Sequence, residues 1–199
     1  DDLTYSAVDG DTQLIISGDE LTVIPEDNFN GNITITVSVT DGEYTDSLDF
    51  ILIVNPVNDA PVLDAISNQT IDEDTQFTHS ISASDIDSET LYYNASIDGN
   101  GVISLDGNQI VIDSNVNYNG NIVVSYTVTD GELSVSDSFV LTVSPVNDSP
   151  TVDTIGDVEI EEDASASVSV IGFDIDGDDL TFSASVDGNA QISFEGNTL

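Results

Sequence analysis

The stretch Val57-Asn58-Asp59-Ala60-Pro61 returns 89 residues later as Val146-Asn147-Asp148-Ser149-Pro150. Three other motifs keep the same interval. Asp85-Ile86-Asp87 returns as Asp174-Ile175-Asp176, Asp41-Gly42-Glu43 as Asp130-Gly131-Glu132, and Asn30-Gly31-Asn32 as Asn119-Gly120-Asn121. A period this long describes a string of complete small domains rather than a solenoid of short repeats. Because acidic and turn residues recur in register, any special chemistry belongs to each repeat and not to one active site.

Within a period, apolar residues alternate with polar ones. Ile33, Ile35, Val37 and Val39 correspond to Ile122, Val124, Tyr126 and Val128; Leu48, Phe50, Leu52 and Val54 precede Phe139, Leu141 and Val143 in the next repeat. Leu91, Tyr93, Ala95 and Ile97 correspond to Leu180, Phe182, Ala184 and Val186, and Leu3, Tyr5 and Ala7 open the chain in the same way. Alternation sends one face to a core and the other to water. Asp-Gly and Asn-Gly clusters between the runs mark hairpins and loops. About seven short strands per repeat, separated by regular turn signals, predict an all-β immunoglobulin-like sandwich. Proline fixes φ at the junctions, so we expect the later part of one repeat over 1–56, a whole repeat over 57–145 and the first part of another over 146–199. On this reading the chain is a segment of a longer array.

The 199 residues include 39 Asp and Glu but no Lys, Arg, Cys, Met or Trp, a formal charge of −39. No salt bridge to a basic side chain can form, and like charges on a compact body oppose folding. Divalent cations or a very salty medium must supply the missing sign. Nucleic acid is excluded as a direct partner because no basic group can replace phosphate counterions. Direct contact with an anionic membrane is excluded likewise, and no run of apolar residues is long enough for a spanning helix. Without cysteine there is no disulfide, and without Lys or Arg there is no site for trypsin-like proteases.

Ca²⁺ takes six to eight oxygen ligands from carboxylates, amides and carbonyls. Such oxygens gather where domain ends should converge. Asn58 and Asp59 lie in the first linker, Asp85 and Asp87 in the loop before Leu91, and Asp130 just after a strand. An extended D-x-D pair would point both carboxylates to one side. The second junction repeats the set with Asn147, Asp148, Asp174 and Asp176, with Asp178 nearby.

These motifs resemble those of the cadherins. Val-Asn-Asp-x-Pro resembles the cadherin D-x-N-D-N-x-P linker with its leading Asp replaced, and Asp85-Ile86-Asp87 and Asp174-Ile175-Asp176 resemble the D-x-D motif. Thr40-Asp41-Gly42 and Thr129-Asp130-Gly131 sit where cadherins have A-x-D-x-G, while Glu73 and Glu162 sit where they place a glutamate ligand on the first strand. Asn28-Phe29-Asn30-Gly31 and Asn117-Tyr118-Asn119-Gly120 are more similar to the cadherin-like tandem repeats of large secreted bacterial adhesins. The resemblance implies one Ca²⁺ cluster from Asn58, Asp59, Asp85, Asp87 and Asp130, and another from Asn147, Asp148, Asp174 and Asp176. It implies that Glu73 reaches the junction at Asp148, that Glu162 reaches the following one, and that Asp41 is the counterpart of Asp130. The cadherin L-D-R-E motif has no counterpart beyond Glu26-Asp27 and Asp113.

The expected function is structural and non-enzymatic: an extracellular or cell-surface shaft of sandwiches stiffened by Ca²⁺. Its partners are neighbouring repeats of the same chain and other copies in a filament. His79 shares a face with Phe77 and Ile81, as a core residue does, and every acid pair has a copy, unlike a catalytic pair. Two rivals remain open: a glycan- or ligand-binding sandwich, and a salt-adapted acidic surface-layer protein without specific metal sites.

Overall fold

The computed structural model describes residues 4–8, 13–188 and 190–193. Leu3, with which the expected opening strand begins, lies outside the described residues. The strands run in order as β1 (Thr4–Val8), β2 (Gln13–Ser17), β3 (Glu20–Ile24), β4 (Gly31–Thr40) and β5 (Thr45–Val54). Next come β6 (Val62–Leu63), β7 (Gln69–Asp72), β8 (Gln76–Ser80), β9 (Ala83–Ser84), β10 (Tyr92–Ile97) and β11 (Gly101–Asp106). The last are β12 (Gln109–Ser114), β13 (Gly120–Thr129), β14 (Ser134–Ser144), β15 (Thr151–Val152) and β16 (Gly172–Phe173). No helix occurs among the described residues, and so none is long and apolar enough to cross a membrane.

Two compact units divide the chain. The first comprises Asp1–Ala65, Ile81–Asn94 and Tyr126–Asp137. Its main sheet has the order β1-β4-β5, beside the hairpin β2-β3 and the short pair β6-β9. The long β4-β5 ladder runs from Gly31 opposite Val54 to Thr40 opposite Thr45. Alternation drives Ile33 and Ile35 inward, where they are buried. Leu48 and Phe50 were expected to share that core, yet both are exposed. The reason is topological: among the described residues no strand pairs with the other edge of β5.

The second unit comprises Ile66–Ser80, Ala95–Ser125 and Ser138–Leu199. It holds the ladder β11-β12-β8, the pair β15-β16, and β7 pairing in parallel with β14. Strand β14 belongs to a sheet of order β10-β13-β14-β7, in which the first unit's order β1-β4-β5 recurs with one strand added. Ile122 and Val124 of β13 and Leu141 and Val143 of β14 are buried, as their alternation requires. Phe77 of β8 meets Phe139 of β14 with ring centroids 5.8 Å apart and also stacks on His79. The lone histidine is thus a core-face residue.

One expected strand does not form. Leu180, Phe182, Ala184 and Val186 alternate like β10 but are not in a strand. In β10 this pattern is held by pairing to β13, whereas among the described residues no strand pairs with 180–186. Leu180 and Phe182 instead pack near Gly172, where an added Cβ would come within 2.8 Å of Leu180 Cδ1.

Candidate metal centre

Both linkers are extended segments without regular pairing, closed by a proline before β6 and β15. At the first, the Asn58 amide donates to Asp130 Oδ2 at 2.7 Å and to the Asp59 carbonyl at 3.1 Å. The Asp59 N–H donates to Asp87 Oδ2 at 2.7 Å. Asp87 and Ser88 in turn donate their N–H groups to Asp85 Oδ1, each at 2.8 Å. This corrects the expectation of an extended D-x-D: the segment is bent into an Asx turn, and the two carboxylates hold different backbone groups. Asp130 Oδ1 accepts from the N–H groups of Glu132 and Leu133, so its turn is fixed by its own side chain. These bonds and the Asn58 amide hold the Asp130 carboxyl below its ordinary pKa, Asn58 contributing most.

The structure therefore brings together Asn58, Asp59, Asp85, Asp87 and Asp130. Asp85 Oδ2 is enclosed and meets no hydrogen-bond donor. An anionic oxygen in that position is costly unless a cation or a proton meets it.

At the second linker the pattern is denser. Val146 N–H donates to Glu73 Oε1 at 2.6 Å, and Asp148 N–H to Asp176 Oδ2 at 2.7 Å. Asp174 Oδ1 accepts from the N–H groups of Asp176 and Asp178, while the Asn147 amide braces the Asp148 carbonyl at 2.9 Å. Glu73 is only 4% exposed, although it is a carboxylate in a chain without Lys or Arg. It continues directly from β7, and its own N–H donates to the Ser144 carbonyl at 2.9 Å. One carboxylate oxygen each from Glu73, Asp148 and Asp176 lie within 4.8 Å of one another. Oxygens so spaced can all touch one ion that binds at about 2.3–2.6 Å. Desolvation raises the Asp148 pKa, and the charges of Asp176, Asp74, Glu73 and Asp174 raise it further.

Two further residues at this linker escaped the sequence reading. Asn117 and Asp74 are both left-handed, at φ 54° and 57°, and the Asn117 N–H donates to Asp74 Oδ1 at 3.0 Å. The Asn117 amide lies against the carboxylates of Asp74 and Asp148. With its nitrogen turned toward them it donates to Asp74 Oδ2 at 3.1 Å and Asp148 Oδ2 at 3.2 Å; with its oxygen turned toward them it faces only acceptors. Asn28, one period earlier, is also left-handed at φ 62° and lines a pocket with Asp59 and Asp85. The available signal was the recurring Asn before Phe or Tyr, which reads first as a turn. Asp113, weighed as a weak substitute for the missing motif, is bonded by the Gln76 amide.

Asp41 and Glu162 join neither cluster. Asp41 Oδ1 serves its own turn, accepting from Glu43 and Tyr44 N–H groups, which lower its pKa, Tyr44 most. Glu162 is exposed. The donor set at both linkers is all oxygen, as a hard cation such as Ca²⁺ requires.

Residues 58–144 match the bacterial Ig domain family Big_9. Chitinase A of Pseudoalteromonas piscicida is 28% identical over 121 residues, which are 60% of this chain and 15% of that protein. Among solved structures, human protocadherin-24 EC1-2 aligns over 71% of this chain and 81% of its own, with TM-score 0.49 and 17% identity. The endo-fucoidan hydrolase MfFcnA4_H294Q, from glycoside hydrolase family 107, aligns over 72% of this chain and 24% of its own, with TM-score 0.35 and 17% identity. The chain is all-β, built of immunoglobulin/cadherin-like sandwich.

Proposed function

We propose that the chain is a non-catalytic, extracellular structural array whose repeats, 1–56, 57–145 and 146–199, are locked to one another by Ca²⁺ at the linkers. The observation that carries this reading is the convergence of Glu73, Asp148 and Asp176 oxygens within 4.8 Å, with no Lys or Arg in the chain to neutralise them. At the second linker Glu73, Asp148, Asp174 and Asp176 would hold the ion, assisted by Asp74 and Asn117. At the first, Asp59, Asp85, Asp87 and Asp130 would do so, with Asn58 or Asn28 supplying an amide oxygen. Bound Ca²⁺ supplies the positive charge that turns mutual repulsion into shared coordination. The protein's own part is to aim the oxygens: the Asp59 and Asp148 N–H groups are tied to Asp87 and Asp176 of the following loop, so linker and loop are held together.

The test is a thermal melt of the 199-residue chain in Ca²⁺, in chelator, and in NaCl of matched ionic strength. Ligand that binds only the folded state stabilises it by about 2.7 kcal/mol at a hundredfold excess over Kd. The expected outcome is a rise in Tm specific to Ca²⁺; equal melting in Ca²⁺ and matched NaCl would overturn the reading in favour of salt adaptation.

A second reading rests on the match to a short part of a chitinase. There the sandwiches space or position other parts of a larger secreted enzyme. The Ca²⁺ chemistry is common to both readings, and a fusion partner's activity with and without the array separates them.

A further inference from the structure

The dipeptide Asn-Gly occurs three times in the chain, at Asn30-Gly31, Asn100-Gly101 and Asn119-Gly120, and the fold treats these pairs differently. Such a pair is open to ring closure: the glycine nitrogen attacks the asparagine side-chain carbonyl carbon, and glycine has no side chain to obstruct it. In a folded chain the reaction needs that N–H free of a ladder. At the first pair it is committed. Gly31 lies opposite Val54, and the Asp41 N–H bond to the Tyr44 carbonyl sets the alternation along the ladder, which makes Gly31 and Val54 a hydrogen-bonded pair. Asn119-Gly120 is the equivalent pair one period later, at the start of β13. There Tyr118 packs so closely that a Cβ on Gly120 would lie 2.7 Å from its hydroxyl.

At Asn100-Gly101 the parity is reversed. Gly101 lies opposite Ser114, and the Asn115 N–H donates to the Asn100 carbonyl at 2.9 Å. Gly101 therefore occupies a non-hydrogen-bonded pair of the antiparallel ladder, with its N–H directed away from β12. Strand β11 is the outer member of the order β11-β12-β8, so that N–H faces the open side of the sheet. All three strands lie within the family match at 58–144. The Asn100 side chain is exposed, whereas that of nearby Asp98 is held, its Oδ1 accepting from the Val123 N–H at 2.9 Å. The fold itself calls for this labile pair. Asn100 is left-handed at φ 62°, a conformation left to Gly, Asn and Asp, and a Cβ on Gly101 would lie 2.6 Å from the Asp113 carbonyl oxygen.

We propose that Asn100 is a self-modification site, at which the folded chain deamidates spontaneously. The Gly101 N–H gives its proton to solvent hydroxide and its nitrogen bonds to Asn100 Cγ. The side-chain Cγ–N bond breaks, and the departing nitrogen takes a proton from water and leaves as ammonia. Water then opens the cyclic imide at either carbonyl, leaving aspartate or isoaspartate. The net reaction is hydrolysis and needs no oxidant, reductant or metal. Each event adds one negative charge to a chain of formal charge −39. Isoaspartate also routes the main chain through the former side chain and lengthens it. The point it lengthens is an anchor, because the Asn100 carbonyl holds the Asn115 N–H, and the Asn115 carbonyl accepts from the Tyr118 N–H at 3.0 Å. Between these two stands Asn117, whose amide lies against Asp74 and Asp148. Ageing at Asn100 thus loosens the loop that carries Asn117.

The experiment is a time course of the 199-residue chain at mildly alkaline pH with chelator present, run in native buffer and in concentrated urea. Intact mass counts the amide-to-acid conversions, and isoaspartate methyltransferase labels the isomer. A peptide map by an acid-specific protease places them, since the chain offers trypsin no site. In buffer, Asn100 is expected to convert about tenfold faster than Asn30 or Asn119, the factor supplied by one ladder hydrogen bond of about 1.4 kcal/mol. In urea the three rates should converge. Asn100→Gly keeps the left-handed backbone and removes the reacting carbonyl, so it should abolish the fast phase of ammonia release. The proposal is overturned if Asn100 converts no faster than the other two in buffer, if its preference persists in urea, or if the fast phase survives Asn100→Gly. Because chelator is present, none of these results bears on Ca²⁺ at the linkers.

Discussion

Asp148 concentrates the chemistry of the second linker. Its N–H holds Asp176, and its carboxylate faces the Asn117 amide. The Asn117 amide bridges Asp74 and Asp148, so it bears on any ion that these carboxylates would hold. Asn117→Ala is expected to weaken Ca²⁺ binding at this linker about tenfold, the 1.4 kcal/mol of one good polar contact, and isothermal titration calorimetry checks it. The pH dependence follows from opposite shifts. Asp148 is raised above 3.8 in the fold, so its protonation favours the folded state, and this contribution is lost as pH rises through its folded value. Asp41 and Asp130 are lowered, so their contribution is present above 3.8 and lost as pH falls below it. In chelator, Tm should therefore rise on acidification from neutral pH and fall again once those two titrate. Asp148→Asn should flatten the rise and leave the fall, as a pH series of melts would report.

At the scale of elements, identical residues in identical repeat positions differ in what they stabilise. Phe139 packs on Phe77 of β8 and is 2% exposed, whereas Phe50 is 39% exposed. Phe139→Ala is expected to cost about 3–5 kcal/mol and Phe50→Ala about 1 kcal/mol or less, measured by denaturant unfolding of the monomer. The alternation of Ile122, Val124, Tyr126 and Val128 was sufficient to identify a buried strand, because a period of two has one physical reading when turns flank it. The same pattern at Leu180 to Val186 was misleading, since a strand needs a partner as well as a sequence. The acid motifs indicated which loops carry oxygen donors. They did not reveal the Asx bend at Asp85, nor Asn117 and Asp74, because a left-handed Asn or Asp has the same one-dimensional signature whether it merely turns the chain or also faces a cluster.

For the molecule as a whole, two kinds of electrostatics are superposed. One is the diffuse repulsion of 39 acids without a basic side chain; the other is the local repulsion within each linker. Salt screens the first smoothly, while a site-bound ion removes the second at a definite stoichiometry. With chelator present, NaCl should raise Tm gradually without saturating at any stoichiometric ratio. Added Ca²⁺ should then produce a saturable step that Mg²⁺ does not reproduce, since Mg²⁺ demands near-octahedral geometry. A Mg²⁺ melt indistinguishable from the Ca²⁺ melt would mean that the clusters act as generic negative patches.

The parallel ladder between β7 and β14 also has a mechanical meaning. A pull arriving through the linker at Val146 runs along β14, and β7 lies beside it in register from Leu141 opposite Gln69 to Ser144 opposite Asp72. The Val146 N–H and the Ser144 carbonyl are both fastened to Glu73, at the end of that ladder. Tension would load these bonds in shear, so that they must give way together instead of unzipping one by one. The carboxylate that joins the acidic cluster with Asp148 and Asp176 is thus also the last rivet of the strand that carries the load.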